Sequence, residues 1–107
     1  MSYSPAKDDR YIREILTDRA LLEQLAEECA ELGQAALKYI RALGVSNNPT
    51  PVSEEEAEDS LYQEAMDVLL CLHMIYPDDP DFKSEYYKGK IQRWATRIRE
   101  AQSDKNN

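Results

Sequence analysis

Glycine (3), proline (5), phenylalanine (1) and histidine (1) are scarce in this 107-residue chain. With so few breakers, and no run of β-branched residues alternating with polar ones, sheet-rich classes are excluded. Leu, Ala, Glu, Lys, Gln and Arg dominate, all good helix formers. An all-α fold is expected. No apolar run approaches the roughly 18 residues that cross a bilayer, and neither end shows a charged stretch leading into an apolar one. A cytoplasmic protein without a membrane partner is expected. The two cysteines, Cys29 and Cys71, lie in apolar helical stretches without framework spacing, so burial as reduced thiols is expected rather than a disulfide. Positive charge is also short. Thirteen Lys and Arg against 21 Asp and Glu leave a net charge of −8, which excludes an extended nucleic-acid surface. Any phosphate that binds here must be drawn by a local feature.

The length suits one domain with a limited core. Residues 1–17 read as a leading segment in which Tyr11, Ile12, Ile15 and Leu16 give at most a turn or two of amphipathic helix. From Asp18, read as an N-cap, Leu22, Leu25, Cys29, Leu32, Ala36, Ile40 and Leu43 recur at spacings of three and four. This predicts a long helix that stops at Gly44. Asn47, Asn48, Pro49 and Pro51 make 45–52 a turn-rich loop between the two halves. Ser53 followed by Glu56 reads as a capping box opening a second long helix, from about Glu54 to Tyr76, ended by Pro77. Asp79 as N-cap with Pro80 at the first position opens a third, reaching Gln102. One helical domain is thus drawn over 18–102, with 103–107 as a disordered tail. The expected architecture is a helical hairpin or bundle of three to four main helices.

Two acidic pairs carry the chemistry. Residues three apart on a helix are neighbours, so Glu28 and Glu31, within Glu27-Glu28-Cys29-Ala30-Glu31, can reach one ion together. Taken alone, such a pair is an ordinary solvated face. Glu64 and Asp67 repeat the spacing on the next helix, and Asp67 lies among Ala65, Met66, Val68, Leu69, Leu70, Cys71 and Leu72. A helix apolar all round is expected to be buried all round. A carboxylate buried there costs several kcal/mol unless it is paired or metal-bound. A buried salt bridge or a cap to another helix is the alternative reading. An antiparallel hairpin would bring both pairs to one level, where four carboxylates repel unless cations lie between them. An all-oxygen set without cysteine or histidine suits Mg²⁺, with Mn²⁺ also compatible. His73, six residues beyond Asp67, is on another face and is not expected to be a ligand.

The last helix adds a basic stripe, Lys83, Lys90, Arg93 and Arg97, among Tyr86, Tyr87, Ile91, Trp94 and Ile98. It can bind phosphate, or it can pair with surface glutamates and the helix dipole. Trp94 can serve as core or flank a base.

These residues resemble the MazG-like all-α nucleoside triphosphate pyrophosphohydrolases, above all their short single-domain bacterial and phage forms. The likeness covers about Asp18 to Ile98. It rests on E-E-x-x-E at Glu27 to Glu31, E-x-x-D at Glu64 to Asp67, Leu25-Ala26-Glu27-Glu28, Asn48-Pro49-Thr50-Pro51-Val52 and Lys90-Ile91-Gln92-Arg93-Trp94-Ala95-Thr96-Arg97. The resemblance implies metal ligation by Glu28, Glu31, Glu64 and Asp67 in a four-helix-type site. It also implies triphosphate contacts by Lys90 and Arg93, with Arg97 and Trp94 beside them on the stripe. The gap from Glu31 to Glu64 is longer than in the larger MazG proteins because the Pro-containing loop intervenes.

The activity so implied is Mg²⁺-dependent hydrolysis of a (deoxy)nucleoside triphosphate to monophosphate and pyrophosphate. Water would be the nucleophile and Glu27 or Glu31 the proton acceptor, and the role so implied is nucleotide-pool sanitation. A homodimer is expected, because three helices cannot cover a segment as apolar as 65–75 and such proteins pair helices across subunits. A catalytically silent helical interaction module and a divalent-ion binding bundle are the alternatives on the same fold.

Overall fold

The computed structural model describes residues 3–48, 51–79 and 85–106. It is all-helical, with four helices in chain order: α1 (Ala6–Ile15), α2 (Asp18–Ala42), α3 (Glu54–Ile75) and α4 (Glu85–Lys105). No strand occurs among the described residues. The chain divides into two compact units, Met1–Pro77 and Asp78–Asn107.

The leading segment is more ordered than its composition suggests. Where a turn or two is expected, α1 runs for ten residues. Asp8 and Asp9 complement its N-terminal dipole, Arg13 lies in its last turn, and Arg13 Nε reaches Asp9 Oδ1 at 3.1 Å. Tertiary support comes from α3, against which α1 packs.

Helix α2 is capped by Thr17 rather than Asp18. The Thr17 side chain accepts a hydrogen bond from Ala20 N at 3.1 Å, which moves Asp18 into the first turn, where its charge favours the dipole. At the other end the helix gives way at Leu43, and Gly44 takes φ +76, the left-handed geometry that glycine adopts without a Cβ penalty. Ser53 caps α3 as expected, its Oγ accepting from Glu56 N at 3.1 Å. The expected N-cap pairing at Asp79 and Pro80 falls partly outside the described residues. So does Lys83. Helix α4 continues to Lys105, three residues beyond the expected end and into the stretch read as a disordered tail.

Helices α2 and α3 form the main packed pair. They run antiparallel, since Leu21 and Ile75 line one recess while Ala35 and Ala57 line another nearer the connecting loop. The buried core is small: Leu21 and Ala35 from α2, and Ala57, Cys71 and Met74 from α3. Small Ala35 and Ala57 pack near the connecting loop, and Leu21, Cys71 and Met74 make up the core toward the other end. The expectation that 65–75 is buried all round does not hold. Met66, Asp67, Leu69 and Leu70 are exposed, Leu70 at 54 %, because α2 and α1 cover only part of the α3 circumference. Cys29 is likewise exposed rather than buried, whereas Cys71 is buried as expected; both are free thiols.

Candidate metal centre

The hairpin brings Glu28, Glu64 and Asp67 together, each offering a carboxylate oxygen within 4.8 Å of the others. Glu28 lies one step off the α2 core stripe, and Glu64 and Asp67 occupy successive turns of α3, so antiparallel packing sets them at one level. Glu28 and Glu64 are half-buried and Asp67 is exposed, which opens the group to solvent on one side.

Two oxygens in this group are sealed from water. Glu28 Oε2 and Glu64 Oε2 are buried without a hydrogen-bond partner among the described residues. Buried polar atoms are normally paired, because an unpaired one loses its hydration without replacement. Glu28 Oε1 is better served, accepting from Gln24 Nε2 at 2.7 Å. The Glu28 carboxyl is held above the usual glutamate range, first by desolvation, then by the negative charges of Glu31 and Asp67, while the Gln24 hydrogen bond pulls the other way. The thiol of Cys71 is also pushed up, by burial first and then by the charges of Glu28 and Asp67.

Glu31, the fourth expected ligand, is not among the three convergent carboxylates. It is exposed and shares with Glu64 a cleft of about 380 Å³ between α2 and α3, close enough to Glu28 to act on its ionisation. Glu27, a candidate proton acceptor, is exposed and outside the group. His73 stands apart too, half-buried in a recess with Ile12 and Leu70. In the second unit, Lys90, Arg93, Trp94 and Arg97 come together on one exposed face of α4. All four are exposed, Trp94 at 63 %, so the reading of Trp94 as core does not hold.

Gln24 was not singled out by sequence reasoning, nor was the cleft lined by Gln34, Lys38 and Ser60. For Gln24 a signal existed in its i, i+4 spacing to Glu28. The cleft depends on how two helices meet and has no signal within either one.

No protein-family model, curated protein or solved structure matches the chain. What the site can do rests on its own chemistry. Three carboxylates from two helices, with two buried oxygens lacking donors, form an all-oxygen set of the kind hard divalent cations take. Among the described residues, no helix is long and apolar enough to cross a membrane.

Proposed function

We propose that this chain is a Mg²⁺-dependent nucleoside triphosphate pyrophosphohydrolase, cleaving its substrate to a nucleoside monophosphate and pyrophosphate. The observation that carries the reading is the convergence of Glu28, Glu64 and Asp67 with the unpartnered buried oxygens of Glu28 and Glu64. The MazG-like sequence pattern supplies the substrate class.

Glu28, Glu64 and Asp67 would hold the metal, with Glu31 at the edge of the group beside them. Bound Mg²⁺, or Mn²⁺ in its place, would neutralise phosphate oxygens and acidify a water. Hydrolysis would add a water oxygen to phosphorus and break the α–β anhydride bond, leaving nucleoside monophosphate and pyrophosphate. Glu31 takes the water's proton, with Glu27 the alternative acceptor on the same helix. From the MazG-like resemblance alone, Lys90, Arg93 and Arg97 are proposed as phosphate contacts and Trp94 as a neighbour of the base.

A homodimer is part of the proposal, and the exposed apolar side chains of α3, including Met66, Leu69 and Leu70, are ones a second copy would cover. Pyrophosphate release from a panel of nucleoside triphosphates in Mg²⁺ tests the activity. Release from at least one, abolished by chelator, is expected. Mg²⁺ binding without release from any of them would leave a divalent-ion bundle, and the enzyme reading would fall.

A further inference from the structure

The cleft beside the carboxylates has a polarity that bears on how a substrate would lie. On α2 it is lined by Glu31, Gln34, Ala35 and Lys38, spaced i, i+3, i+4 and i+7, so they form one stripe. On α3 it is lined by Ala57, Ser60 and Glu64, again one stripe, and Val52 closes it near the loop. Because the helices are antiparallel, Glu31 and Glu64 stand at one end and Lys38 at the other. The helical rise puts the Lys38 backbone about 10 Å along the axis from that of Glu31. Gln34 and Ser60, both hydrogen-bond donors, lie between.

Lys38 is exposed, and among the described residues no carboxylate forms an ion pair with it, although Glu31 and Glu64 line the same cleft. A cation at the far end of a polar groove that begins at a metal-binding group can meet an anion reaching outward from that metal. The alanine floor, Ala35 and Ala57, leaves room for that anion.

From this arrangement we infer that the α2–α3 cleft is the subsite for the pyrophosphate half of the substrate, with Lys38 binding its terminal phosphate and Gln34 and Ser60 donating to its oxygens. The inference rests on the proposed hydrolase reading and adds a direction to it. The β and γ phosphates lie toward Lys38, and the α phosphate and nucleoside lie on the Glu28–Asp67 side. Lys38 is a substrate-binding residue with no part in holding the metal.

The test is calorimetric titration of the full chain with Mg²⁺ alone, with inorganic pyrophosphate in Mg²⁺, and with a nucleoside monophosphate in Mg²⁺. Wild type, Lys38→Gln and Lys38→Arg are compared after circular dichroism shows equal helix content. Lys38→Gln is expected to weaken pyrophosphate binding about ten- to a hundredfold, the range for a charge-assisted contact, and to leave Mg²⁺ and monophosphate binding unchanged. Lys38→Arg, which keeps the charge, should recover most of the loss. Equal weakening of pyrophosphate and monophosphate, or no weakening of either, would overturn the subsite while a hydrolase that binds Mg²⁺ and cleaves its triphosphate stood. A wild-type chain that bound no Mg²⁺ would overturn both.

Discussion

Gln24 Nε2 donates to Glu28 Oε1 at 2.7 Å, one helical turn away, and fixes a carboxylate whose second oxygen is closed off from solvent without a partner. That hydrogen bond favours the ionised form of Glu28 against desolvation and the charges of Glu31 and Asp67. Gln24→Ala is therefore expected to raise the Glu28 pKa further. Mg²⁺ affinity should fall, most at mildly acidic pH, and each ion bound should release more protons. Calorimetry in buffers of different ionisation enthalpy reads both effects, and an unchanged proton release would show that Glu28 is not a ligand.

The same shift sets a pH dependence in the metal-free protein. Since the Glu28 pKa is raised in the folded state, the native chain binds more protons than the unfolded one between the usual glutamate value and the raised one. The stability contributed by this group is fully present below the usual value and lost as pH rises through the raised one. Metal-free Glu28→Gln should thus melt higher than wild type at neutral pH, and the two should converge on acidification. A variant that melted lower at neutral pH would mean that the ionised Glu28 has a stabilising partner.

Asp67 belongs to the convergent trio, and its charge helps to push Glu28 upward. Asp67→Asn should weaken Mg²⁺ binding and abolish turnover while leaving metal-free stability equal or higher, because one anion is removed from a repelling group. Urea denaturation without Mg²⁺ is the check. A marked loss of stability there would instead indicate a structural ion pair at Asp67.

Arg93 lies on the exposed basic face of α4. Arg93→Ala should lower kcat/KM for the triphosphate about ten- to a hundredfold, as expected for loss of a charge-assisted phosphate contact, with Mg²⁺ binding in the absence of nucleotide intact. Steady-state kinetics paired with Mg²⁺ titration decide it. Unaltered kinetics would reduce the stripe to a solvated surface feature.

Thr17 and Ser53 each close the start of a helix that carries site carboxylates, α2 and α3. Thr17→Ala and Ser53→Ala should each cost about 1 kcal/mol of stability, the usual value for an N-cap hydroxyl. Denaturant midpoints with an unchanged m-value would report this.

Helix class, the two long helices of the hairpin and the Ser53 cap were legible along the chain, because they depend on local periodicity and on hydroxyls and glycines at fixed offsets, whereas the α2 cap was read at Asp18 and lies at Thr17. The Ser53 cap and the stop at Gly44 are both present. Order in α1 was not legible, since a short helix of modest apolar content depends on the α3 surface that receives it.

The acidic pairs could be read as pairs from their spacing alone, but their final grouping could not. Packing angle and register between α2 and α3 decided that Glu28 joins Glu64 and Asp67 while Glu31 turns toward the cleft. The same packing decided that Leu70 stays exposed while Met74, one turn further along α3, is buried. A sequence reports which side chains share a helix face, because that follows from 3.6 residues per turn. Which face meets a neighbour, and how much of it is covered, follows only from the positions of both helices at once.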